Sequence, residues 1–426
     1  MKQTKTKPLW SKDFTLVVIG QIISLFGNAV LRFALPLYIL EQSGSPALFG
    51  RVSALAFLPM ILLSPVGGII ADRVNKQRIM VVLDFITSAL VFGYIAISGY
   101  FSTIAIVVVL MMALYAIQGA YSPAVQASIP LLVEEEKLVP ANAAVNLVNS
   151  LSNMLGPIIG GVLYGTFGLP AVLIVSAICF LFSAVMELFI RIPHKKQEST
   201  GNMWATVKKD MGSSLHFMFK TKPILAKIIF IMTLFELFAS SVLIIGLPVL
   251  ITQTYALSSQ WLGVTQGVMM GGGLVGGVLA GVLAKKLSIQ KIHRLLLLIA
   301  LCFVPIVLGL LLGVSAIIGY GIITGACFFA MIAGVLMRVQ LFAFIQQVVP
   351  EEMMGKVFSC LMAIILCAQP VGQWLAGWCF ERFADLPWVV LLAAVVLSSL
   401  ISVYSRSCFH KIKVCIIPSQ RKSRLV

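Results

Sequence analysis

The sequence predicts an all-α membrane protein of about twelve transmembrane helices in two pseudo-symmetric six-helix bundles. Three observations lead there: the apolar balance of the chain, the placement of its basic residues and an internal repeat. Of 426 residues, 60% are hydrophobic and 11% charged, a composition whose natural solvent is lipid. Apolar stretches of about 18 residues or more recur throughout, each able to cross a hydrocarbon layer roughly 30 Å thick as a helix. Runs such as Ile104 to Met112 and Leu295 to Leu301 do not alternate in polarity, and a spanning β-barrel needs that alternation.

The spans fall at 14–40, 46–71, 79–99, 102–129, 140–165, 168–191, 224–252, 261–284, 292–312, 316–345, 354–380 and 386–407. Before the first lies a basic, polar start, Met1 to Lys12. The apolar stretch from Phe14 to Leu40 has no small-residue cleavage pattern, so it reads as a span and not as a signal peptide. With the N-terminus in the cytoplasm, 27 of the 31 Lys and Arg residues lie in inner segments, as the positive-inside rule requires. Both termini are therefore expected in the cytoplasm, in a multi-pass protein of the cell membrane. Glu134, Glu135 and Glu136 share an inner loop, but acidic residues weigh little in orientation. The net charge of +16 thus reports topology, and no nucleic-acid partner is expected.

The long connection from His194 to Lys222 carries Trp204, Met211, Leu215, Met218 and Phe219 among charged residues. It reads as an amphipathic helix on the inner surface. The expected units are an N-terminal bundle at 1–192, this linker at 193–222, a C-terminal bundle at 223–408 and a basic cytoplasmic tail at 409–426. The two bundles repeat one another. A shift of 213 carries Gly68 to Ile79 onto Gly281 to Ile292 and Pro157 onto Pro370; a shift of 212 carries Leu35-Pro36 onto Leu247-Pro248, and after one inserted residue Gly50 falls on Gly263. A parallel duplication of six spans is an architecture in which two bundles rock about a site near the midplane.

Eight cysteines, six of them inside apolar spans, show neither metal-ligand spacing nor a pairing pattern and read as small packing residues. His194, His216, His293 and His410 lie in inner segments or the tail, and no span carries paired carboxylates. An enzyme is therefore not expected, nor a metal or cofactor. No glycine-rich loop with a following Lys-Ser/Thr is present to bind ATP.

The loop between spans two and three, with Gly68, Asp72, Arg73, Lys76 and Arg78, resembles the glycine-aspartate-arginine signature of the major facilitator superfamily. Glycines there let helices approach closely, and charges at a helix end can lock one conformation. The resemblance implies a conformational rather than a substrate-binding role. The second copy departs from it by placing Lys285 and Lys286 where Asp72 and Arg73 stand, so it should lack the full network. In span five, Gly156-Pro157-Ile158-Ile159-Gly160-Gly161 is similar to the glycine-proline motif of superfamily exporters, with Ser152 in place of an upstream glycine. Pro157 removes a backbone hydrogen bond and the glycines thin the helix, so this span can bend and pack closely. Proton-coupled exporters of the superfamily carry an arginine three residues before a Gln-Gly pair in span four; here that residue is Tyr115. Residues 27–41 and 118–142 look closest to the macrolide-efflux and enterobactin-exporter branch.

Polar residues three or four apart share a helix face, and in lipid that face must look inward. Span one offers Gln21, Ser24, Asn28 and Arg32; span seven, at the repeat offset, Thr233, Glu236 and Ser240. Span four offers Tyr115, Gln118, Ser122 and Gln126, and span five Asn142, Asn146, Asn149 and Asn153. These stripes either wall a cavity or hold helices together. The family resemblance adds span ten, with Thr324, Met331 and Arg338, as a further wall, although Arg338 reads as snorkelling to the inner interface. Glu236 lies about 20 Å deep at 1.5 Å per residue. It is protonated, paired with a cation such as Arg32, or titrated during transport. Asp84 reads as joining Arg73 or Arg78, and Glu187 as an interface residue. The expected function is a secondary transporter that exports a small, partly apolar molecule, of drug, macrolide-like or siderophore-like type, in exchange for protons. The alternative is an importer or facilitator of the same fold.

Overall fold

The structure is a computed structural model that describes residues 9–98, 103–193, 211–283 and 289–410, without the side chains of Pro65, Ile69, Asp72, Thr103, Glu351 and His410. The first lysines, Trp204, Lys285, Lys286 and the tail after His410 lie outside the described residues.

The described residues fold into long helices, and their ends follow from local chemistry. Helix α1, Lys12–Ser43, starts where the Ser11 hydroxyl accepts the Phe14 N–H at 3.3 Å. It stops at Gly44, whose φ of 64° returns an N–H to the Leu40 carbonyl. Helix α2, Pro46–Arg73, begins on Ser45 with a proline in its first turn, and α3, Lys76–Ile97, on Asn75. Helix α4 is Thr103–Leu132. The helical run Leu138–Leu188 turns at Gly168 (φ 73°, ψ −172°), a backbone state open to glycine. It therefore comprises two spans, α5 (138–167) and α6 (169–188). Helix α7, Pro223–Thr254, contains two π-helical turns, Glu236–Ser240 and Val249–Thr254. The remaining spans are α8 (Ser259–Leu283), α9 (Ile292–Leu311), α10 (Ala316–Val348), α11 (Glu351–Arg382) and α12 (Pro387–His410). Among the described residues, eleven apolar helical runs thus give twelve spans.

Helix packing repeats with a step of six spans. In the first half α1 packs on α5, α2 on α4 and α3 on α6; in the second α7 packs on α11, α8 on α10 and α9 on α12. Across the halves α2 meets α11 and α5 meets α8, again mates under the same step. Large apolar side chains stand exposed around the outside, among them Leu62 at 70%, Phe167 at 71% and Leu312 at 77%. Water would make such a surface costly, and lipid does not. Before α7, residues 211–221 are helical, with Met218 fully buried while Met211 and Phe219 are exposed.

Both cross-half contacts are tightest at the ends of the spans remote from the described termini, here the far face. A Cβ on Gly50 would lie 2.5 Å from the Gln373 carbonyl oxygen and 2.9 Å from Gly377 Cα. One on Gly161 would lie 2.8 Å from the Ser259 carbonyl oxygen and 3.1 Å from Gly263 Cα. Main chain therefore meets main chain at both seams. At the same face Glu381 of α11 accepts the Ala47 N–H at 3.0 Å and the Ser45 hydroxyl, capping α2 from the other half. Gln253 donates to the Gly44 carbonyl at 3.3 Å. Toward the opposite, near face, Gly68, Gly277, Gly281 and Gly355 have open space where a Cβ would go. The two halves are in main-chain contact at the far face.

Candidate functional site: a central cavity and two polar clusters

A cavity of about 390 Å³ lies between the halves, with walls from α1, α2, α4, α7, α8, α9, α10 and α11. This is within the range of small-molecule sites, about 300–1,000 Å³. Most of its wall is apolar, with Phe33, Phe57, Phe235 and Phe303 offering flat faces and Met111, Met269, Met270 and Met331 adaptable ones. Arg32 and Arg338 reach it from opposite halves, and among the described residues no Asp or Glu lines it. The Arg32 guanidinium stands 4.8 Å above the Tyr115 ring, a cation–π contact that holds it without neutralising it. Gln266, Gln369, Gln373, Ser53 and Ser240 supply uncharged hydrogen-bonding groups. The cavity is thus apolar, adaptable and positively charged.

The residues expected from the stripes divide into groups. Arg32, Tyr115 and Ser240 line the cavity, as do Met331 and Arg338 of α10. Arg338 therefore faces the cavity and not the interface its position suggested. Thr324 bonds the Thr265 hydroxyl at 2.9 Å. The stripes of α1 and α4 pair with each other. Gln21 donates to Tyr121 at 2.6 Å, Asn28 to Gln118 at 3.3 Å, and Arg32 covers Tyr115, so the two helices are joined by a ladder that ends at the cavity. Ser122 accepts from Gln126 at 3.4 Å.

On α5, Asn149 donates to its own helix at Val145, while Asn142, Asn146 and Asn153 are exposed; none of the four lines the cavity. Thr233 is half-buried with its hydroxyl unpartnered. Glu236 opens the first π turn of α7; its carbonyl accepts the Ser241 hydroxyl at 2.7 Å, and its side chain stands outside the cavity lining. A π turn inserts a residue into the helical ladder, a feature frequent at functional sites.

A second polar cluster sits within the first half, where α1, α3, α4 and α6 meet. Ser24 donates to Asp84 at 3.2 Å, and Tyr121 donates to Glu187 at 2.9 Å. Asp84 is 2% exposed and Glu187 fully buried. Neither occupies the place read for it: Asp84 turns from the basic residues at the near end, and Glu187 faces inward and not the interface. The apolar run Leu188-Phe189-Ile190 beyond Glu187 was the available signal, because chain that stays apolar past an acid places that acid inside.

The motif glycines also separate. A Cβ on Gly68 would meet nothing within 4 Å, whereas Gly67 and Gly119 bring α2 and α4 together, a Cβ on Gly67 falling 2.6 Å from the Gly119 carbonyl oxygen. Arg73 and Arg78 are exposed at the near face, and the Asp72 side chain lies outside the described set. In α5, Gly156 and Gly160 receive α1 at Ala29 and Phe33, and Gly161, one residue after Gly160, receives α8. The Pro157 carbonyl lies against Gly263 of α8.

Two repeated six-helix bundles enclosing a central cavity are an architecture of membrane transporters. The Major Facilitator Superfamily model matches residues 17–372, and the chain belongs to that family. Macrolide efflux protein A of Streptococcus pyogenes is 24% identical over 403 residues, 91% of this chain and 94% of that protein. The lysophospholipid transporter LplT of Escherichia fergusonii is 29% identical over 206 residues, 47% of this chain and 48% of that one. Among solved structures, a bacterial homologue of the iron transporter ferroportin in an inward-facing state is similar with a TM-score of 0.69 and 17% identity, covering 93% of this chain and 99% of that one. The nucleoside transporter NupG is similar with a TM-score of 0.74 and 11% identity, covering 94% and 99%. These structures establish the fold alone. The protein is a membrane transporter and not an enzyme.

Proposed function

We propose that this protein exports a small, partly apolar molecule bearing an anionic group, by alternating access and in exchange for protons. The near face, with both termini, is the cytoplasmic one in this reading, and the far face looks out of the cell membrane. The observation that carries it is the cavity: apolar, built by both halves, sealed at the far face, and holding Arg32 and Arg338 with no acid to neutralise them. Both arginines are exposed within the open cavity, and guanidiniums favour carboxylate or phosphate and disfavour a cationic drug. The exposed asparagines of α5 fit a water-filled approach from the near face. Likeness over most of the chain to a macrolide efflux protein supports outward transport.

Inside-out vesicles test it. Fluorescent lysophosphatidic acid, its zwitterionic choline ester, the cation ethidium and a macrolide are offered with and without an acid lumen. Accumulation of the anionic probe driven by the acid lumen, and reduced at least tenfold in Arg32→Gln/Arg338→Gln, supports the reading. Preference for ethidium or the macrolide overturns the anionic substrate. Movement of the anionic probe only out of the vesicles reverses the direction and makes the protein an importer.

A further inference from the structure

We propose that Asp84 and Glu187 together hold one exchangeable proton, and that proton binding enters the transport cycle at this carboxyl pair inside the first half. The role in the cycle rests on the proton-exchange reading above; the proton itself does not. The pair is set among four helices. From α1, Gln21 and Ser24 face it; from α4, Tyr121; from α6, Ser183, whose hydroxyl donates to the Gly20 carbonyl at 3.1 Å. Gly20 gives Glu187 its room, since a Cβ there would come 3.5 Å from Glu187 Cγ.

Glu187 receives the Tyr121 hydroxyl and Asp84 the Ser24 hydroxyl, with the Ser183 hydroxyl also beside Asp84, and one oxygen of each carboxyl is left bare. Asp84 Oδ2 and Glu187 Oε2 are buried without any partner. The charged side chains at the neighbouring helix ends, Lys12, Asp13, Arg73, Lys76, Arg78 and Arg191, are half-buried or exposed. Among the described residues, no ion pair to either carboxyl is formed.

Two carboxylates so enclosed, with no ion pair among the described residues, are costly to keep ionised together, because each buried charge costs several kcal/mol and each repels the other. A single proton neutralises one of them and removes the repulsion. The bare oxygens are where it binds: an O–H bond forms on Asp84 or Glu187 as water gives up a proton, and it breaks when the proton returns to water. A purely structural pair would be expected to fill its remaining acceptors, and this one leaves two empty.

The position suits exchange with the near face. Glu187 lies in the last turns of α6, where Gln77 donates to the Glu187 and Leu188 carbonyls at 3.1 and 2.9 Å. The main chain there is pinned while the side chain turns inward. Tyr121, which donates to Glu187, is also the first rung of the α1–α4 ladder, and those two helices carry Arg32 and Tyr115 into the cavity. A change of charge at the pair therefore acts on the helices that hold the cavity's first arginine.

The test is infrared difference spectroscopy of protein in liposomes from about pH 5 to about pH 9, a range that covers buried carboxyl titrations. Wild type, Asp84→Asn/Glu187→Gln, Tyr121→Phe and Glu236→Gln are compared, with helical circular dichroism confirming the fold. The expected result is a carboxylic-acid C=O band at neutral pH in wild type and Glu236→Gln, absent from the double variant and titrating at a different pH in Tyr121→Phe. A band retained unchanged in the double variant, lost in Glu236→Gln, or missing from wild type overturns the proposal. Should the double variant not fold, an unmoved midpoint in Tyr121→Phe overturns it and a moved one supports it. For the role in transport, the double variant should lose acid-driven accumulation of fluorescent lysophosphatidic acid and keep exchange of labelled for unlabelled probe. Undiminished accumulation refutes that role. If wild type moves no probe but keeps the band, the substrate reading has failed and the proton site stands.

Discussion

Replacing Gly50 by alanine should open the far face. The added Cβ would meet the Gln373 carbonyl oxygen at 2.5 Å and Gly377 Cα at 2.9 Å, both main-chain atoms of α11 that no rotamer change can move aside. Carbon pairs rest at about 3.5–4.0 Å, so α2 and α11 must part by roughly 0.6–1.1 Å at this point. Overpacking of this kind costs about 1–3 kcal/mol. The cost falls on the far-closed state alone, because the same Cβ meets nothing once these helix ends separate. The equilibrium should therefore move roughly 5- to 150-fold toward far-open molecules, at 1.4 kcal/mol per factor of ten. Pulsed electron resonance between spin labels at the exposed positions Gln42 and Asp385, in a background with the native cysteines replaced, reads the populations. A longer-distance population should grow in Gly50→Ala. Gly68→Ala, where a Cβ has open space, should not produce that shift. The steric argument fails if Gly50→Ala keeps the wild-type distances in folded protein, or if Gly68→Ala matches it.

Glu381→Gln should move the same distances in the same direction by less, because it removes a charge from the N-terminus of α2, worth about 0.3–1 kcal/mol at an exposed site. Added salt should shrink the difference between this variant and wild type. Asn28→Ala removes the middle rung between α1 and α4 and should cost about 0.5–1.5 kcal/mol, read as a lower melting temperature in detergent; an unchanged one would mean the ladder adds no stability.

The spans, their count and the duplication were legible because hydropathy, basic residues and punctuation by Gly and Pro are local signals. Even the turn at Gly168 is written as Gly-Leu-Pro between two apolar runs. The cavity was legible in part. Arg32, Tyr115 and Ser240 belong to periodic stripes, and Gln369 and Gln373, four residues apart, form another stripe that went unread. Gln266 and Ser53 lack such a partner, and only the packing of helices distant in sequence brings them to the cavity. The stripes of α1 and α4 were visible, but not that Asn28 and Arg32 are spent on Gln118 and Tyr115 of the other helix. Counting residues from a helix end also misplaced Asp84 and Glu187, because depth along one helix does not reveal which neighbours close over it.

The tightest contacts of the far seal are between main-chain atoms, and this separates two properties that selection can act on. Gln373 shows the division within one residue: its carbonyl oxygen abuts Gly50, while its side chain looks into the cavity. Changing the phenylalanines, methionines or arginines of the wall alters what is recognised and leaves closure untouched, provided the seam glycines stay. A chain built this way can drift among cargoes without having to reinvent its gate, a route by which one fold comes to serve chemically unrelated molecules.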